Sequence, residues 1–182
     1  MRKLIFAVNM TLDGCFDHTA MIADEELHEK AADLFRNADA IIFGRVMYQL
    51  MEAYWPTATS DPSLSPAVIG FAKAINAIKK IVISKTVDNP SWNTSVLRNV
   101  DYDEILEMKK QPGKDILLGG GAKIAGAFME LGLIDEYRVI VHPVILGRGR
   151  RLFEDVIKRT DLQLTGEDLR KSGAIELIYA PR

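Results

Sequence analysis

Cysteine is almost missing from this sequence. Cys15 stands alone, so no disulfide can form within the chain, and a secreted disulfide scaffold is excluded. It reads as a small buried residue, since no neighbouring pattern activates it. Histidine is scarce as well. His18, His28 and His142 show none of the spacings of a zinc site, and His28–Glu29 is followed by Ala32 where a helical zinc motif needs its second histidine, so no metal is expected. Long apolar runs are lacking too. The stretch Leu4 to Val8 gives way to Asn9, Thr11 and Asp13, too short for a signal peptide or a membrane span, and a cytoplasmic protein is the expectation. Nor is charge of one sign concentrated: 23 Lys and Arg stand against 25 Asp and Glu. The one basic cluster is Arg148, Arg150 and Arg151, which argues against a nucleic-acid or membrane footprint and leaves small molecules as the expected partners.

What is there suits one well-cored domain over residues 1–182, with 48% hydrophobic residues and no repeat, low-complexity tract or linker. Short runs rich in Ile, Val and Leu predict strands over Lys3–Val8, Ala40–Phe43, Lys80–Ser84, Asp115–Leu118, Tyr137–His142 and Ala174–Tyr179. Between them, Leu27, Ala31, Leu34 and Phe35 recur at helical spacing within Asp24–Arg36, as do Ile124, Phe128 and Leu131. Pro66–Lys79 and Tyr102–Gln111 are further helix candidates, Pro66 being well placed in a first turn. The alternation predicts an α/β fold with a mostly parallel sheet. Past Phe153, Asp161–Leu164, a turn around Gly166 and then Ala174–Tyr179 predict an antiparallel close.

Two junctions carry the chemistry. In ILLGGGAKIAGAF, a strand ending at Leu118 meets Gly119, Gly120 and Gly121 and then a helix from about Ala122. Bare backbone N–H groups at a helix N-terminus favour an anion, although a tight strand-to-helix turn is the plainer alternative. The segment is not a P-loop, since Gly126 is followed by Ala127 and Phe128 in place of Lys and Ser or Thr. It is not a Rossmann fingerprint either, because Ile124 occupies the last glycine position. In IIFGRVM, a strand runs into Gly44 and Arg45 with a helix from Val46, a second place where amides and a guanidinium can meet a phosphate. Two such turns suggest a dinucleotide, and Ser84, Lys85 and Thr86 at a third strand end could flank its adenosine.

Taken in order, TLDG at Thr11–Gly14, FGR at Phe43–Arg45, VISKT at Val82–Thr86, LGGG at Leu118–Gly121 and PVILGRGRRLF at Pro143–Phe153 resemble the dihydrofolate reductase fold. More specifically, the chain is similar to the reductase domain of the bifunctional riboflavin-biosynthesis deaminase-reductase family and its stand-alone relatives. The resemblance covers nearly the whole chain. It implies a central eight-stranded sheet, mostly parallel with an antiparallel C-terminal strand, an NADPH cofactor and a dimer. By position, Gly44, Arg45, Val46 and Met47 would hold the pyrophosphate and 2′-phosphate region. Ser84, Lys85 and Thr86 would take the adenosine end, and Gly119, Gly120, Gly121, Ala122, Lys123 and Ile124 the remaining phosphate contacts. The resemblance also implies a cis peptide between Gly119 and Gly120.

Departures from that pattern bear on function. Met47 stands where relatives commonly carry a threonine, removing one side-chain contact to phosphate. Neither Glu25, Glu26 nor His28 aligns with the proton donor that dihydrofolate reductases carry on their first helix, and Asp13, following the first strand, is the best candidate for a polar group near the substrate, with a turn-forming role as its alternative. Trp55, in the loop Tyr54–Ser65, could roof a planar substrate or simply pack against the surface. The Arg148, Arg150 and Arg151 cluster could take a substrate phosphate or line a dimer seam. The leading expectation is an NADPH-dependent reductase of a pterin-like or pyrimidine-like heterocycle. The alternative is a nucleotide-binding sensor or interaction protein without turnover. A homodimer is expected through Ala174–Tyr179, read as a strand with an uncovered edge.

Overall fold

A computed structural model describes residues 1–154 and 156–182. The chain folds as β1 (Leu4–Thr11), α1 (Glu25–Arg36), β2 (Ala38–Gly44), α2 (Arg45–Glu52), α3 (Trp55–Ala58), α4 (Pro66–Ala77) and β3 (Lys79–Ile83). It continues with β4 (Thr94–Leu97), α5 (Tyr102–Lys110), β5 (Asp115–Gly119), α6 (Ala122–Glu130), β6 (Glu136–His142), β7 (Leu162–Leu169) and β8 (Ile175–Pro181). Together the strands make one eight-stranded sheet in the order β4-β3-β2-β5-β1-β6-β8-β7. The pairings among β1 to β6 are parallel, while β8 runs antiparallel to both β6 and β7.

The central strands read as continuous apolar runs because helices cover both faces of the sheet. Leu4, Phe6, Ile42, Ile116 and Leu118 point to one side, where they pack with Ile105 of α5 and with Ala125 and Phe128 of α6. Ile5, Ile41, Phe43 and Leu117 point to the other, against Tyr48 of α2 and Leu34 and Phe35 of α1. Phe71 and Ile75 of α4 close that second layer against Ala32. Side chains cap three of the helices: Asp24 accepts from the Leu27 amide at α1, Ser65 from Val68 at α4 and Asp101 from Glu104 at α5.

The C-terminal region departs from the sequence expectation in two ways. Gly166 is not in a turn: β7 runs through it as a bulge between Leu164 and Gly166, and the reversal lies at Lys171–Gly173, where Gly173 takes φ +83°. The last strand is not an open edge either. β8 is hydrogen-bonded to β6 on one flank and to β7 on the other, so the edge on that side of the sheet is β7. At the opposite edge, the short strand β4 has no counterpart among the strands predicted from apolar runs, because Thr94–Leu97 is only half-buried throughout.

Candidate active-site crevice

The two glycine junctions meet in space. Phe43 of β2 lies opposite Gly119 of β5, so these strands end side by side, and from there α2 packs on one face of the sheet and α6 on the other. Adjacent parallel strands whose following helices diverge to opposite faces open a crevice at their carboxyl ends, the place where α/β sheets bind ligands. Both helices begin on a glycine, Gly44 and Gly121, with no side chain capping either end. Their first N–H groups are therefore unclaimed by a capping side chain, and the positive ends of both dipoles border the crevice.

The glycines are required by packing. A Cβ on Gly119 would lie 2.8 Å from Phe43 Cε1, one on Gly120 2.7 Å from Ile124 Cγ2, and one on Gly121 3.0 Å from Phe16 Cε2. None of the three has a positive φ, and the described residues contain no cis peptide bond, so the Gly119–Gly120 bond is trans. The expected cis link is thus corrected. Close approach of Phe43, Ile124 and Phe16 excludes side chains at this turn with the peptides in their ordinary form.

The crevice extends beside β1. Pairing of β1 with β5 stops at Phe6 and Leu118, while pairing with β6 continues to Thr11 and His142. The upper half of β1, Ala7 to Thr11, therefore has no strand on its β5 flank, because the triple glycine turns β5 away. Asn9 stands on this stretch. His142 Nε2 lies 2.9 Å from its Oδ1, and His142 Nδ1 accepts the amide N–H of Ile22 at 3.2 Å. His142 is buried, which lowers its pKa; the charge of Arg170 adds to the effect and Asp24 works against it. Arg170 is itself buried, donating to Glu176 at 2.8 Å, while its Nε and Nη1 have no partner among the described residues.

Asp13 is a clamp. It accepts from Thr11 Oγ1 at 2.6 Å and from the backbone amides of Leu146 and Gly147 at 3.2 and 2.8 Å. Led by the Thr11 hydroxyl, these bonds hold its carboxyl down at about 2, so it carries no proton near neutrality. The clamp ties the TLDG turn to the later LGRGR segment, which also pairs through Cys15 and Arg151 and through the Phe16 amide donating to the Arg150 carbonyl. Phe16, held there, covers Gly121. Cys15 is buried in the same clamp, and Arg150 pairs with Glu154 at 2.9 Å.

The other predicted residues fall as follows. Arg45 and Val46 are exposed in the first turn of α2, with Arg45 donating to Gln49 at 3.0 Å, and Met47 is half-buried against the sheet. Ala122 is buried, Lys123 exposed and Ile124 partly buried in the first turn of α6. Ser84 is buried, its hydroxyl accepting the amides of Thr86 and Val87, while Lys85 and Thr86 face solvent. Arg98, which no motif marked, braces this turn by donating to the carbonyls of Ser84 and Val87 and to Asp88. Trp55 is half-buried, its ring edge-on to Phe71 at 4.6 Å and its Nε1 donating to Met51 Sδ. Among the described residues no cluster of His, Cys, Asp or Glu has metal-binding geometry, and no helix is long and apolar enough to cross a membrane.

Comparison with known proteins agrees with this geometry. The chain is 32% identical over 181 residues to the uncharacterized protein YyaP of Bacillus subtilis (strain 168), covering 98% of this chain and 94% of that one. Among solved structures, a putative riboflavin biosynthesis protein from Shewanella sp. PV-4 superposes with a TM-score of 0.72 at 16% identity, over 100% of this chain and 99% of the other. Dihydrofolate reductase from Enterococcus faecalis, complexed with NADP(H), superposes with a TM-score of 0.65 at 12% identity, over 99% and 96% of the two chains. The fold is therefore dihydrofolate reductase-like. A family model matches residues 2–174, and with it the crevice, the glycine turn and the sheet order find their place: this chain belongs to the RibD C-terminal domain family, a family of nicotinamide-dependent reductases.

Proposed function

We propose that the protein is an NADPH-dependent reductase of a small pyrimidine-like or pterin-like heterocycle. The observation that carries this reading is the pair of uncapped helix N-termini at the ends of adjacent strands β2 and β5, opening onto the unpaired flank of β1. The amides of α2 and α6 would hold the cofactor phosphates, with Arg45 and Lys85 exposed nearby for a 2′-phosphate. Leu12 and Val46 are apolar yet 63% and 70% exposed at the carboxyl ends of β1 and β2, which suits a site that covers planar rings. When bound, the nicotinamide supplies the hydride. The chain's part is to hold two rings in contact, keep water out and orient the acceptor.

A second reading rests on Asp13. With its carboxyl near 2 and its oxygens engaged by Thr11, Leu146 and Gly147, it has no proton to give, and a cofactor-binding protein without turnover is the alternative. Tryptophan fluorescence and NADPH absorbance, followed together with dihydrofolate and with a riboflavin-pathway aminopyrimidine, separate the two. Oxidation with either substrate is the expected result. Saturable NADPH binding with no oxidation establishes the second reading, and no NADPH binding at all rejects both.

A further inference from the structure

The Asn9–His142 pair has a built-in polarity that determines what Asn9 can offer a ligand. A backbone N–H only donates, so the bond from the Ile22 amide makes His142 Nδ1 an acceptor and leaves the ring proton of the neutral imidazole on Nε2. Burial, aided by Arg170, favours that neutral form. Nε2–H then donates to Asn9, which must answer with its carbonyl oxygen. The amide is thereby oriented by a chain of bonds that starts at a peptide group and runs through a buried ring. Its amino end, Nδ2, has no hydrogen-bond partner among the described residues and belongs to a half-buried side chain on the open upper stretch of β1. Strand alternation puts Asn9 on the same face as Ile5, the face covered by α1 and α2 and opposite to Phe6 and Val8.

We propose that Asn9 is the specificity-determining residue of the crevice: its Nδ2 donates to a ring oxygen of the substrate, so an analogue with an amino group in that place is disfavoured. This rests on the crevice being the substrate site of the reductase proposed above. His142 is a positioning residue, acting through Asn9. A donor fixed in this way discriminates strongly, because an amino group facing it leaves two donors opposed and unpaired.

The probes are 5,6-diaminouracil and 2,4,5,6-tetraaminopyrimidine, which differ in carrying oxygen or nitrogen at two ring positions. Their dissociation constants are measured by protein-observed NMR on the wild-type chain, with NADPH binding followed by its fluorescence in the same samples. The uracil is expected to bind at least ~10-fold more tightly and to shift the side-chain amide signals of Asn9. Asn9→Asp, which presents only acceptors, reverses the preference. His142→Phe, which frees the amide to turn, brings the ratio towards one while the amide spectrum reports an intact fold. The assignment is overturned if the wild-type chain binds neither probe or shows no preference, or if Asn9→Asp keeps the wild-type order. Preference without NADPH binding removes the reductase reading and leaves Asn9 as assigned, whereas NADPH binding without preference does the reverse.

Discussion

Lys80 is a buried cation that costs the fold stability near neutral pH. It is 0% exposed at the start of β3, donating to the Asn76 carbonyl at 3.0 Å with its ammonium 4.1 Å from the centre of the Trp92 ring. These contacts do not replace its hydration, and burial pushes its pKa down from 10.5 to about 8. Between those two values the folded chain binds fewer protons than the unfolded one, so the contribution of Lys80 to stability rises as pH climbs from about 8 to 10.5, and the penalty is fully present below 8. Lys80→Met is expected to be more stable than wild type at pH 7 by about 1–3 kcal/mol, with part of the gain lost along with the Trp92 contact. Urea titrations of both chains from pH 7 to 10.5 should show the gap closing. Gly120 is the second residue-scale case. Its missing Cβ would stand 2.7 Å from Cγ2 of the partly buried, β-branched Ile124, so Gly120→Ala is expected to cost about 1–3 kcal/mol of stability and to displace the first turn of α6. Adding Ile124→Ala removes the overlap. NADPH titration of the single and double variants should show binding lost and then partly regained, and a single variant that binds normally would separate the glycine turn from the cofactor.

At the scale of elements, what the sequence announced and what it hid divide along physical lines. The junctions leading into α2 and α6 were readable because each is local: an apolar run, glycine, then helical spacing. The core strands β1, β2, β3, β5 and β6 were readable for the same reason, as runs covered on both faces. β4 was not, because a short edge strand that is only half-buried carries little apolar pattern, and β7 was legible only at its start, within Asp161–Leu164, because much of the strand is exposed and Gly166 mimics a turn where it makes a bulge. The Asn9–His142 contact was hidden by distance, its partners being 133 residues apart in sequence. Likewise Asp13 has the local look of a turn residue, and only folding brings Leu146 and Gly147 to its carboxylate. That clamp makes its own prediction. Asp13→Ala should lower the melting temperature and speed proteolysis between residues 143 and 151. Because the folded value, about 2, lies below the ordinary 3.8, the stabilisation is fully present above 3.8 and is lost as pH falls through 2, so the two chains should converge in strong acid. The helix ends predict a cofactor preference. With Arg45 and Lys85 exposed beside the crevice, NADPH should bind about tenfold to a hundredfold more tightly than NADH, and Arg45→Ala should narrow the ratio. Equal constants for the two cofactors in the wild-type chain would reject the assignment.

For the whole molecule, assembly follows from where the sheet stops. With β8 enclosed between β6 and β7, an association through the last strand has no free edge to use. The edge strand β7 carries Glu167 and Asp168 and is kinked by its bulge, devices that oppose strand-to-strand addition, yet Leu164 and Leu169 stand 48% and 72% exposed on it. We propose a homodimer formed through this apolar surface. Light scattering should give about 40 kDa, twice the 20.3 kDa of one chain, and a single-chain mass at high concentration would reject it. The position of β1 has a further consequence, for synthesis. The first strand is bordered only by β5 and β6, the latter ending at His142, so the N-terminal segment has no neighbour to pair with until more than a hundred further residues have been made. At about 5–20 residues per second, that is a wait on the order of 5–20 s. Asn9, Thr11 and Asp13 all ride on or just beyond this strand, so the crevice is among the last parts of the protein to take shape on the ribosome, and a chain cut short before β6 would have its glycine turns but no strand to hold Ala7 to Thr11.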